Sequence, residues 1–138
     1  MKSIILLLAV SLFVLKAGAQ KTTAPAPVKQ SFAKMFPDIN PNWEKENKDY
    51  EASFKQNGKA MSAVFDADGT LKETETSVSV SELPAIAKEY VAKNYKNATI
   101  KEAAKITKAD GTINYEAEVN HRDIIFDSTG KFLKIEKD

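Results

Sequence analysis

Two stretches of this chain occur twice. Tyr50-Glu51-Ala52-Ser53-Phe54 returns as Tyr115-Glu116-Ala117-Glu118-Val119, and Phe65-Asp66-Ala67-Asp68-Gly69 returns as Phe126-Asp127-Ser128-Thr129-Gly130. Order and near-spacing are both kept, which is the pattern of one structural unit built twice. This constrains architecture and leaves chemistry open.

The chain opens like an exported protein. Lys2 is followed by an apolar run from Ile4 to Leu15 and by Ala17-Gly18-Ala19, the three parts of a secretory signal. Residues 1–19 are therefore expected to be removed before Gln20, leaving a periplasmic or secreted product. The run is too short to cross a bilayer, which takes about 20 residues, so no membrane span is expected after cleavage. No cysteine follows the small residues to carry an acyl anchor.

Charge bears on partners. Of 20 basic and 19 acidic residues, the signal takes Lys2 and Lys16 and no acid, so the mature chain stands near −1. Its lysines are interleaved with acids, as in Glu44-Lys45-Glu46-Asn47-Lys48-Asp49, and form no basic stripe, so nucleic acid is not an expected partner. With no cysteine, stability has to come from an apolar core. A domain of this length buries roughly two-thirds of its unfolded surface, enough without disulfides.

Gln20 to Pro27, rich in Thr, Ala and Pro, reads as a solvated tether. Val28, Phe32, Met35 and Phe36 then fall on a helical stripe that Pro37 closes. A second helix is predicted from Pro84 to about Asn94, with Leu83, Ile86, Ala87, Tyr90 and Val91 on its buried side. Strand alternation follows each helix. Tyr50, Ala52 and Phe54 form one face, Asn57-Gly58 makes a type I′ turn, and Met61, Ala63 and Phe65 continue the apolar side. Asp68-Gly69 turns the chain into Leu71 to Val80. The second half predicts strands around Ile100 to Thr107, Ile113 to Val119, Ile124 to Asp127 and Phe132 to Ile135.

At this point the residues resemble a known family. Leu83-Pro84 opening a helix that ends at Tyr95, a Tyr115-Glu116-Ala117 strand, and Phe126-Asp127 with Gly130-Lys131 are similar to the PepSY-like family, also described as β-lactamase-inhibitor-like. Phe36-Pro37, Trp43-Glu44, Phe65-Asp66 and Asp68-Gly69 match its other half, so the resemblance runs from about Val28 to Ile135. It implies a periplasmic, non-catalytic α+β domain in which two helix-plus-antiparallel-strand repeats share one sheet, with both helices packed on one face. The domain would span 28–138, with repeats at about 28–80 and 81–138. The first helix departs from the pattern in lacking the Leu-Pro opening of the second.

Chemical motifs are sparse. Asp66-Ala67-Asp68-Gly69 begins like a calcium loop, with Glu73 nearby, but Thr70 and Ser77 stand where further ligands are needed, so a hairpin turn is the expectation. His121 is the only histidine and falls on a predicted turn beside Arg122 and Asp123. No nucleophile elbow, metalloprotease pair or phosphate loop is present. No cofactor, metal site or catalytic residue is assigned. The aromatics Phe32, Phe36, Phe54, Phe65, Tyr90, Tyr115 and Phe126 are expected in the core, and Trp43 in the core or at its rim.

The expected function is binding, by an exported non-catalytic module that engages an envelope protein or peptide. Straight alternation assigns Glu51, Ser53, Lys55, Val64, Thr74, Thr76, Glu116 and Glu118, with Ser62, Lys72 and Ile125, to an exposed sheet face away from the helices. Such a polar face with scattered apolar residues fits a polypeptide better than a deep small-molecule site. The alternative is a small-ligand or calcium-binding envelope protein that uses the acidic turns. Mass spectrometry of the exported product should find Gln20 as its first residue; an intact Met1 would contradict the signal reading.

Overall fold

The computed structural model describes residues 22–137. The signal segment 1–19 lies outside the described residues. Within them, helix α1 (Ala26–Met35) is followed by strands β1 (Asn42–Glu46), β2 (Asp49–Gln56), β3 (Lys59–Phe65) and β4 (Leu71–Val78). A short 3-10 turn (Val80–Glu82) leads to α2 (Ala85–Asn94), then β5 (Glu102–Lys108), β6 (Ile113–Val119), β7 (Arg122–Asp127) and β8 (Phe132–Lys137). All eight strands join one antiparallel sheet in sequence order, β1 to β8. The fold is thus α+β, as expected. No described helix is long and apolar enough to cross a membrane.

The helices start and stop for local reasons. Pro25 and Pro84 sit at the N-cap positions, where the missing amide has no intrahelical partner to lose. Both helices end in an extended residue, Phe36 (φ −130°, ψ 71°) and Tyr95 (φ −128°, ψ 69°), whose amide donates back to Phe32 and Val91. Pro37 disfavours helical backbone at Phe36 and so accounts for the first stop. The solvated tether expected over 20–27 is not what the structure has from Thr22 onward. Thr22 N donates to Trp43 O, Ala24 is buried, and Ala26 and Pro27 are already helical. Prolines that stiffen an approach segment also suit the first turn of a helix, and here the second property prevails.

Two phenylalanine-centred clusters form the core. In the first, Val28, Phe32 and Phe36 meet Ala52, Phe54, Ala63 and Phe65, and Trp43 packs at the edge with its ring 5.5 Å from that of Phe32. In the second, Leu83, Ala87 and Val91 meet Ala103, Ala117, Val119, Ile124 and Phe126, and Tyr90 stacks on Phe132 at 4.9 Å. The aromatic core is where the sequence puts it. Met35 and Ile86 are not, being 43% and 54% exposed. Each lies at the margin of its stripe, and a ten-residue helix packs on a narrower strip than periodicity alone selects.

The turns hold the helices to the sheet. Asp66 Oδ1 accepts from the amides of Asp68 and Thr70, and Asp127 Oδ1 from those of Thr129 and Lys131. These side chains build their own turns, as expected of the Asp66 to Gly69 segment. Each turn ends in a glycine beside a helix start. A Cβ on Gly69 would lie 2.6 Å from Pro27 O, and one on Gly130 would lie 2.8 Å from Ala87 N. Gly58 also has positive φ, but a Cβ there would meet nothing within 4 Å, and Asn57 shares the positive φ of the expected type I′ turn. Gly58→Ala should therefore cost about 1 kcal/mol from backbone strain alone, and Gly130→Ala about 2–4 kcal/mol because backbone must also move. Denaturant unfolding of both variants measures the difference; equal losses would mean that the close approach to α2 carries no weight.

Candidate functional site

Cross-strand pairing decides which side chains share a face, because residues directly opposite one another project to the same side. One set of rows, including Ala52–Ala63 and Tyr115–Phe126–Phe132, supplies the strand residues of both core clusters. The other set is acidic. Glu51 faces Glu44 on β1 and Val64 on β3, and Val64 faces Glu73 on β4. The next row runs Ser53, Ser62, Glu75, Ile106 and Asn114. Further along, Ala104 faces Glu116, which faces Ile125. Last come Glu102, Glu118, Asp123 and Glu136, four acids opposed in turn across β5 to β8.

Of the residues assigned to this face from sequence, Glu51, Ser53, Lys55, Ser62, Val64, Glu116, Glu118 and Ile125 lie in its rows. Thr74 and Thr76 do not. Thr74 pairs with Ala63 and Thr76 with Met61, on the side of the core clusters. The cause is a register shift after Val64, where Phe65 pairs with Leu71 but Val64 pairs with Glu73. The extra residue, Lys72, inverts the parity of the strand and delivers Glu73 and Glu75 to the acidic face. Lys72 itself, from within the bulge, ion-pairs Asp49. Alternation also passed over Glu102, Asn114, Asp123 and Glu136; the cross-strand partners of Glu116 and Glu118 were the available signal.

A second correction concerns exposure. The sequence predicts a wet face, yet Glu51 is 1%, Glu75 5%, Glu116 5%, Glu118 4% and Asp123 0% exposed. Buried ionised carboxylates are costly unless paired, so such groups take up protons instead. Burial, reinforced by Glu46 and Glu44, pushes the Glu51 carboxyl up to about 8. Burial and then the charges of Glu116 and Glu51 push Glu75 well above the usual range, and burial with Glu118 raises Glu102. Lysines at the margins offset part of the repulsion. Lys108 pairs with Glu73 at 3.0 Å, Lys101 with Glu118 at 3.5 Å, and Lys134 with Glu136.

The arrangement is a set of crowded carboxyls, and the chain's one histidine stands apart from it. His121 is exposed in the β6–β7 turn with φ 58°. Among the described residues no group of three or more His, Cys, Asp or Glu could hold a metal ion. A depression along α2, lined by Ile86, Glu89, Tyr90, Lys93 and Asn94, is open.

The raised carboxyls make a pH signature. Glu51 in the folded chain keeps its proton up to about pH 8, whereas unfolded it loses it near 4.5. The folded state therefore binds more protons between those values, and its stability is full below about 4.5 and falls as pH rises toward about 8, with Glu75 adding in the same direction. The limit for one group is about 1.4 kcal/mol per pH unit. The wild-type Tm should drop from pH 5 to pH 8, and Glu51→Gln should flatten that slope and melt higher at pH 8. A variant as pH-sensitive as wild type would contradict the burial of a protonated Glu51.

Residues 48–134 match the family described as "Putative beta-lactamase-inhibitor-like, PepSY-like". The fold is similar to that of a "putative periplasmic" protein from Bacteroides eggerthii, at 19% identity over 83% of this chain and 89% of that one, with TM-score 0.74. A DUF2874 family protein from Bacteroides uniformis compares at 21% identity, 83% and 89% coverage and TM-score 0.73. A BLIP-like protein from Bacteroides fragilis compares at 19% identity, 83% and 86% coverage and TM-score 0.66. No curated protein matches the chain. The matched span takes in β2 to β7 and the start of β8, and the chain belongs to the beta-lactamase-inhibitor-like, PepSY-like family.

Proposed function

We propose that the chain is an exported, non-catalytic binding module of the cell envelope. In this reading it is one domain built from two repeats, about 28–80 and 81–138, with both helices on one face of the shared sheet and a protein or peptide partner on the other. Several matched features support the repeat. Tyr50 pairs with Phe65 as Tyr115 pairs with Phe126, each phenylalanine is followed by an Asp turn and a glycine beside a helix, and each half carries one register shift. The helix placement is supported by the continuous rows that link Phe54, in the cluster of α1, through Met61, Thr76 and Lys105 to Tyr115, which packs with the cluster of α2. The signal-like start, and the periplasmic name given to the Bacteroides eggerthii neighbour, support export to the periplasm.

One observation carries the binding reading. A sheet face that serves neither core cluster keeps Glu51, Glu75, Glu116, Glu118 and Asp123 buried against one another. For folding alone this is a poor choice of residues, and such local violations gather where function requires them. The calcium or small-ligand alternative draws on Asp66, Asp68 and Asp127, whose Oδ1 atoms are engaged within their own turns.

The test is capture from an envelope fraction by the immobilised mature chain. Glu116→Gln with Glu118→Gln should reduce recovery of the captured protein at least fivefold, while His121→Ala should leave it unchanged. A turnover that depends on His121, with the sheet face irrelevant, would place the protein in a different functional class.

A further inference from the structure

We propose that the acidic face receives a cationic polypeptide, an extended segment presenting Lys or Arg side chains, with Glu75 as a central acceptor. The inference rests on the binding-face reading above and adds the chemistry of the partner.

Charge is the first argument. Like charges directly opposite on neighbouring strands destabilise a sheet, yet Glu44 faces Glu51, Glu46 faces Asp49, and Glu102, Glu118, Asp123 and Glu136 follow one another across four strands. Four lysines around this face are already engaged, Lys108 by Glu73, Lys101 by Glu118, Lys134 by Glu136 and Lys72 by Asp49, and Lys55 stands exposed near the end of β2 opposite Ala60. Their pairing leaves the middle of the face without a cation for Glu75.

Glu75 is the second and independent argument. It is 5% exposed, and its buried Oε1 has no hydrogen-bond partner. A buried acceptor left in that state is costly. It lies between Ser62 and Ile106, a hydroxyl and an aliphatic side chain, neither of which offers it charge. An ammonium or guanidinium brought from outside would supply both the missing donor and the missing charge.

Shape favours a polypeptide over a single ion. Neighbouring strands are about 4.8 Å apart, so the acid row from β5 to β8 extends over about 14 Å. That span matches several side chains of an extended segment, whose same-side residues recur every 6.6–6.8 Å or so. Val64, half-buried in the rows among the acids, is where the aliphatic stem of a Lys or Arg would pack.

Binding also moves a proton. Facing Glu75 are Glu51 on β2, Glu73 on its own strand, Lys108 on β5 held by Glu73, Glu116 on β6 and Asp123 on β7. That crowding and burial favour the protonated form of the empty carboxyl, and an arriving cation releases the proton to solvent, so affinity should rise with pH.

The experiment uses the mature chain and three probes: a labelled peptide of alternating Lys and Ala, its counterpart of alternating Gln and Ala, and calcium chloride. The Lys peptide should bind, the Gln peptide should not, and raising NaCl from about 50 to about 200 mM should weaken binding at least fivefold. Glu75→Gln should weaken it at least tenfold. Glu89→Gln on α2 removes the same charge elsewhere and should leave affinity unchanged. Both variants are checked by thermal melting, where Glu75→Gln should melt no lower than wild type because an amide of similar size has no ionised form to desolvate. Four results would overturn the proposal: no binding of the Lys peptide at low salt, equal binding of the Gln peptide, equal losses in the two variants, or calcium binding that requires Glu75 and excludes the peptide. An envelope partner lost in the Glu116 and Glu118 variant but insensitive to salt and to Glu75→Gln would defeat the cationic class while leaving the binding face standing. Glu75-dependent peptide binding with no envelope capture would do the reverse.

Discussion

One extra residue at the start of β4 decides what this protein shows to its surroundings. Side chains alternate with period two, so a single insertion sends every later residue of a strand to the opposite face. The shift between Val64 and Phe65 keeps Leu71 beside the first core cluster and then turns Glu73 and Glu75 away from it. A matching shift between Ile125 and Phe126 pairs Phe126 with Phe132 and Ile125 with Lys134. Without these two irregularities β4 would present threonines to the acidic rows and glutamates to the core, and neither the core nor the acidic face would exist in its present form.

The same device explains which parts of the structure were legible in the sequence. Helix and strand order, the aromatic core, the Asn57-Gly58 turn and the Asp turns all follow from local patterns, because period, capping and turn chemistry are written in neighbouring residues. Thr74 and Thr76 were misplaced because a bulge leaves no mark in the alternation; Leu71, Glu73 and Glu75 read as one face on any straight strand. Burial of Glu51 and Glu118 was equally hidden. It depends on side chains of several strands crowding together, and a single strand of mixed polarity carries no record of that. Asp123 illustrates the limit best. Beside His121 and Arg122 it looks like part of a charged turn, yet it is fully buried opposite Glu118 and Glu136.

Apolar packing and acidic crowding are therefore assigned to opposite sides of one sheet. With no cysteine in the chain, the two phenylalanine clusters supply the apolar burial that favours folding, and full burial of side chains such as Phe65 and Phe126 contributes about 1.5–3 kcal/mol each. The acidic rows oppose it through desolvation and mutual repulsion, and proton uptake relieves part of that cost. The fold tolerates its acidic face only because the other face is well packed, and the tight approach of Gly69 and Gly130 to the helix starts helps to keep it so.

The two sides meet at the pairing of β4 with β5. On the core side this seam has two polar pairs, Thr74 opposite Thr107 and Thr76 opposite Lys105, and is apolar at its end, where Val78 of β4 lies opposite Ala103 and packs with the second cluster. On the acidic side the same seam carries Glu75 opposite Ile106, with Glu73 opposite Lys108 one pair along. The crowding of Glu75 with Glu116 and Glu51, whose charge proton uptake relieves in part, thus falls on a line where apolar packing is sparse. An occupant that neutralises this charge would remove strain at the junction of the halves, which couples binding on one face to the cohesion of the whole sheet.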